Sequence, residues 1–178
     1  MSDIEEKITL AVERLAILAT QNGDTVATAE SCTGGALAAV LTELPGASAW
    51  FKEGCVTYTN EAKMRLGVSP KALDRHGAVS ETVAQMMARC ITASSGAKVG
   101  VGITGLAGPG GGTIDKPVGT VCIAWAEHFN EHIMTCSRTI HVSGSRHYVR
   151  QVAILTAIEG MCEIMRYGMH PAMMPCEF

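Results

Sequence analysis

Aromatic residues are scarce in this sequence: two Trp, three Tyr and three Phe among 178 residues, or 4%. The core therefore has to be packed from the aliphatic residues and Met that make up most of a 47% apolar fraction. Charge is also thin, at 17%, and slightly acidic, with a net charge of −3. A protein that grips nucleic acid or an anionic membrane by general electrostatics carries a basic surplus, and this sequence has none. No uninterrupted apolar stretch approaches ~20 residues, so no membrane span is expected. The opening MSDIEEKITL lacks the basic-then-apolar order of a secretory signal. These absences predict a cytoplasmic protein with no nucleic-acid or membrane partner.

Cysteine is not rare, but no pattern organises it. The seven cysteines (Cys32, Cys55, Cys90, Cys122, Cys136, Cys162 and Cys176) are scattered, and no C-x-x-C pair occurs. Neither a zinc knuckle nor a redox dithiol is signalled. His128 and His132 are four apart, but they flank an expected turn rather than share a helix. No metal and no cofactor is expected. A chain of this length fits one domain and buries about 70% of its unfolded surface, which needs neither disulfide nor metal.

Hydrophobic periodicity supplies the elements. Ile4, Ile8, Ala11, Leu15 and Leu18 recur at helical spacing up to Asn22-Gly23, predicting a first helix. A short strand is expected over 25–30, a helix from Gly35 to about Glu43, and a strand over 49–59. A short helix follows over 60–66 with Asn60 as its cap. Pro70 opens another helical turn, and Ser80 caps a longer helix striped by Val83, Met86, Met87, Cys90 and Ile91. Val99, Val101 and Ile103 read as a buried strand, followed by the glycine-rich loop GLAGPGGGTIDKPVG. A strand pair joined across EHFNEH and a final helix over about 144–166 complete the chain, with an irregular tail over 167–178. Strands alternating with helices predict an α/β layered domain, and the late strand pair makes its sheet mixed.

Three stretches carry chemistry. In TAESCTGG, residues 28–35, Ser31 falls on the turn between a strand and a helix expected to begin near Thr33. The next amides would then open a helix and point the same way, offering donors to an oxyanion. Gly34 and Gly35 would clear side chains from a ligand's approach. The alternative is a plain helix cap by Ser31 or Thr33. Cys32 is a rival nucleophile, placed second because no histidine stands near it in sequence. A serine needs a base, and VTYTNEAK offers Tyr58 at a strand end and Lys63 on the following helix. Burial can lower a lysine pKa from ~10.4 towards ~7–8; a solvated lysine paired with Glu61 and a half-buried strand tyrosine are the alternatives. In GITGLAGPGGG the loop after a buried strand places Thr104, Gly105 and nearby amides where open α/β sheets hold ligands, a flexible loop being the alternative. Arg146 and Arg150, with His147, lie in the opening turns of the last helix, where a cation opposes the helix dipole and hints at an anion partner.

Taken together, TAESCTGG, LPGASAWFKEGCVTYTNEAK, LGV, HGAVSE, TGLAGPGGG and KPVGT resemble the CinA C-terminal domain family, the nicotinamide-nucleotide amidases. The likeness runs from about residue 5 to residue 165. It implies a single three-layer α/β/α domain over 1–166, a stand-alone version without the family's separate N-terminal pyrophosphatase-like domain. It also implies hydrolysis of the carboxamide of nicotinamide mononucleotide to nicotinate mononucleotide and ammonia, with no cofactor. On matching positions Ser31 is the nucleophile, Lys63 its base and Tyr58 a positioning or proton-relay group. Cys32, Thr33, Gly34, Gly35, Thr104, Gly105 and Arg146 would bind substrate, Arg146 at the phosphate. The family's usual Gly-Asp-Arg before the last helix is here Gly144-Ser145-Arg146. A non-catalytic nucleotide binder, or an amidase on another small carboxamide, is the alternative function. The apolar last helix and Met-rich tail point to a dimer or larger homo-oligomer, with burial in the core as the other explanation for the helix.

Overall fold

Among the described residues five strands carry the domain: β1 (Val26–Glu30), β2 (Phe51–Val56), β3 (Val99–Gly105), β4 (Thr120–Phe129) and β5 (His132–His141). They lie in the order β2-β1-β3-β4-β5. β1 runs parallel to both β2 and β3, whereas β4 is antiparallel to both β3 and β5, so the sheet is mixed as expected. The computed structural model describes residues 3–169. The tail over 170–178, Cys176 included, lies outside the described residues.

Alternation in β3 and β4 decides which helix covers which face. Val99, Val101, Ile103, Val121, Ile123 and Trp125 form one core with α1 (Asp3–Asn22), α2 (Ala36–Thr42) and α6 (Arg146–Tyr167). The intervening positions are small: Gly100, Gly102, Cys122, Ala124 and Ala126. Against them lies α5 (Glu81–Ser95), flanked by α3 (Asn60–Leu66) and α4 (Pro70–His76) through Val68 and Leu73. A Cβ on Gly102 would stand 2.3 Å from the Ala84 carbonyl and 2.6 Å from the Ala88 amide. Only glycine there lets α5 approach the sheet this closely. The result is three layers, and it explains how a chain poor in aromatics fills its interior. The apolar residues of α6, Ile154, Ile158, Met161, Cys162 and Met165 among them, are buried in this core, so core packing accounts for them.

Several boundaries differ from expectation for local reasons. β2 spans only Phe51–Val56, because residues 47–49 form a 3₁₀ turn and the chain leaves the sheet after Val56; Tyr58 therefore lies beyond the strand. Thr59, not Asn60, caps α3, its Oγ1 accepting from Ala62 N at 3.2 Å. The β4–β5 turn is just Asn130-Glu131, tighter than EHFNEH implied, since Asn130 takes φ 55°, a conformation Asn tolerates in hairpins. His128 and His132 consequently sit on paired strands, opposite Ile133 and Phe129.

Topology places the cleft. The β1-to-β2 connection passes through α2 on one face, and the β2-to-β3 connection returns through α3, α4 and α5 on the other. The two diverge from β1, so the order reverses between β1 and β3. Open α/β sheets leave a crevice at such a point, outside the carboxyl ends of the strands.

Candidate active site

Ser31 follows the last residue of β1, and its amide donates to Ile103 O on β3 at 2.9 Å. That bond holds the residue at the mouth of the crevice. From across it, Lys63 of α3 reaches in: Nζ lies 3.0 Å from Ser31 Oγ and donates to Thr57 O at 2.8 Å. Lys63 is 1% exposed and Ser31 8%. The solvated pairing with Glu61 is thus not what forms. Among the described residues the ion pairs are Lys7–Asp3 and Lys98–Glu127, neither of which involves Lys63. Burial without a carboxylate partner disfavours the charged amine, and Lys63 is pushed below the ordinary lysine value, opposed only by Cys32.

Cys32, the rival nucleophile, is ruled to second place by its surroundings. Burial pushes its thiol up to about 11, with Glu30 adding to the rise, while its own backbone amide, Arg146 and Arg150 pull the other way. At neutral pH it stays a thiol, the unreactive form.

The turn after Ser31 is built differently from expectation. α2 begins at Ala36, not near Thr33, because Gly34 (φ 61°) and Gly35 (φ 91°) take left-handed conformations first. That geometry, which only glycine adopts freely, is their role. Thr33, Gly34 and Gly35 do not line the cleft. Nor is the positive end of α2 free for a ligand. The buried Glu30 carboxylate accepts from Gly35 N (2.9 Å), Leu37 N (3.1 Å) and Ala38 N (2.8 Å). Gly34 N donates to Ser31 O at 3.0 Å. Of the amides expected to serve an oxyanion, the one left on a cleft-lining residue is that of Cys32.

The cleft encloses about 260 Å³, and its lining joins Ser31, Cys32, Tyr58, Lys63, Thr104, Gly105 and Arg146 with the glycine loop at Leu106–Gly108. Seven of the ten site residues expected from sequence thus meet in one place. Thr104 is buried, its Oγ1 donating to Ala78 O at 2.8 Å, so it braces the opposite wall. Gly105 is required for packing: a Cβ there would lie 2.8 Å from Thr120 O. Tyr58 is 57% exposed rather than half-buried in a strand. Its hydroxyl accepts from Arg146 Nη2 at 3.0 Å, while Arg146 Nη1 donates to Gly108 O at 3.0 Å. Arg146 therefore ties the glycine loop to the α3 side across the cleft mouth. Ser145 caps α6, its Oγ accepting from Tyr148 N at 3.2 Å. Asp serves equally well as a cap, and Arg146 takes its bearings from Gly108 and Tyr58, not from residue 145.

Glu30 and Lys116 were not anticipated. Lys116 Nζ donates to His76 O (3.0 Å) and Val79 O (2.7 Å), fixing the HGAVS wall to the glycine loop. The one available signal for Glu30 was a carboxylate closing a strand otherwise made of Val, Ala and Thr. Among the described residues no group of three or more His, Cys, Asp and Glu side chains could hold a metal ion, and no helix is long and apolar enough to cross a membrane.

The CinA C-terminal domain family matches residues 8–165. A putative competence-damage inducible protein of Symbiobacterium thermophilum is 44% identical over 169 residues, covering 92% of this chain and 38% of its own length. A CinA-like protein of Chlorobaculum tepidum is 60% identical over 103 residues, 57% of this chain and 24% of its own. The chain thus spans well under half the length of these curated relatives. The crystal structure of the competence/damage inducible protein of Agrobacterium tumefaciens superposes with a TM-score of 0.85 at 39% identity, covering 92% of this chain and 99% of that one. A CinA superfamily protein of Escherichia coli gives 0.80 at 34%, covering 93% of each.

Proposed function

This chain belongs to the CinA C-terminal domain family, and from that premise we propose that it hydrolyses the carboxamide of nicotinamide mononucleotide, releasing nicotinate mononucleotide and ammonia. The reading rests on one observation above all: a buried lysine amine, with no carboxylate partner among the described residues, 3.0 Å from the hydroxyl of Ser31. In its neutral form, which burial favours, the amine donates to Thr57 O and keeps its lone pair for the serine proton.

Ser31 Oγ attacks the carboxamide carbon and its proton passes to Lys63 Nζ. The Cys32 amide donates to the developing oxyanion. As the tetrahedral intermediate collapses, the Lys63 ammonium returns the proton to the departing nitrogen, which leaves as ammonia. Water, deprotonated by the same amine, then cleaves the acyl ester and frees the acid. Arg146, at the exposed mouth, takes the 5′-phosphate, and Tyr58 holds Arg146 for it. Thr104 and Gly105 form the wall against which the ring lies.

Purified, chelator-treated protein incubated with nicotinamide mononucleotide should release ammonia, and Ser31→Ala should lower that rate about 10³-fold or more. Full activity in Ser31→Ala refutes the nucleophile. Turnover of other small carboxamides in preference to this nucleotide refutes the substrate and leaves the chemistry.

A further inference from the structure

Arg150 stands one turn beyond Arg146 on α6 and points at the back of the Ser31 turn. Its Nη2 donates to Thr33 O at 2.7 Å. The peptide group that carries this carbonyl also carries Gly34 N–H, which donates to Ser31 O at 3.0 Å. The peptide group of that second carbonyl carries the Cys32 N–H. Guanidinium, Thr33–Gly34 peptide and Ser31–Cys32 peptide therefore form one head-to-tail series of dipoles. Each bond in such a series polarises the next. The series ends on the amide assigned above to the oxyanion.

Two features separate Arg150 from an arginine kept for stability. It belongs to neither ion pair found among the described residues. Its Nε and Thr33 Oγ1, beside the Nη2 bond, are both buried and have no hydrogen-bond partner among the described residues. Native structures leave few such groups, and those they leave ask for a reason.

We propose that Arg150 is a positioning residue for catalysis, fixing the Ser31–Gly34 turn and polarising the Cys32 amide towards the oxyanion. This rests on the serine-hydrolase reading, so its test needs a readout apart from the natural substrate. Wild type, Arg150→Met and Arg150→Lys are compared in three ways: kcat and KM for nicotinamide mononucleotide, thermal unfolding, and the rate at which phenylmethanesulfonyl fluoride sulfonylates Ser31 Oγ with loss of fluoride. Arg150→Met should lose about 10- to 100-fold in kcat with KM little changed, lose labelling rate in parallel, and unfold near the wild-type temperature. Arg150→Lys, which keeps a charge for the carbonyl, should recover part of both rates. Equal labelling and kcat in wild type and Arg150→Met overturn the inference, as does loss of rate that follows loss of folded protein in both variants. Labelling of wild-type Ser31 without turnover of the nucleotide sinks the substrate alone, and the labelling rates still decide the role of Arg150. Wild type that neither turns over nor labels overturns both.

Discussion

A lysine sealed from water costs stability unless something is gained by it. Among the described residues Lys63 has hydrogen bonds but no counter-charge, and burial holds its pKa below the unfolded value of about 10.4. The sign follows from proton counting. Between the folded and unfolded values the unfolded chain binds the extra proton, so stability rises with pH across that window. Below the folded value the cost is present in full. Lys63→Met removes the titration and fills the same space. It should therefore cut ammonia release by about 10²–10⁴-fold, yet unfold at pH 6 no lower than wild type, with a flatter alkaline rise in unfolding temperature. Unfolding temperature measured against pH for both proteins checks this. A large drop at pH 6 would mean that the amine is there for the fold.

At the scale of elements, the Ser31 corner depends on how β1 hands over to α2. Glu30 closes that junction by binding three amides of the helix opening with one buried carboxylate. Hydrogen bonds to a charged acceptor are the stronger kind. Glu30→Gln puts an amide donor against amide donors and should cost about 3 kcal/mol in urea unfolding, with activity falling because the Ser31 turn loosens. Little change in either would show that the helix end holds itself. This junction also marks what could be read from sequence and what could not. The periodicity of α1, α5 and α6, the cap at Ser80, the opening of α4 by Pro70, and the buried β3 are legible because each rests on local spacing. That Glu30 reaches forward to residues 35, 37 and 38 is not, since its neighbours suggest only a strand end. Local sequence alone accordingly starts the helix too early and leaves its positive end to a ligand.

For the molecule as a whole, the site is a product of strand order. Ser31, Lys63, Thr104 and Arg146 are far apart in sequence and meet because β1 lies between β2 and β3, with β4 and β5 turned antiparallel beyond. Composition and local motifs predicted a mixed α/β sheet but not that order, which long-range pairing decides. The small residues of β3 and β4 on one face were also legible only afterwards, when Gly102 proved to lie against α5. The distance that matters most, 3.0 Å between Ser31 Oγ and Lys63 Nζ, joins residues whose closeness no spacing rule supplied. If it has the use assigned to it, turnover must pass through an ester on Ser31. Acid-quenched mass spectrometry of the protein during reaction with nicotinamide mononucleotide should find the nicotinate mononucleotide acyl group on the peptide holding Ser31, and none on Ser31→Ala. Ammonia release with no adduct on wild type, and undiminished in Ser31→Ala, would contradict the account.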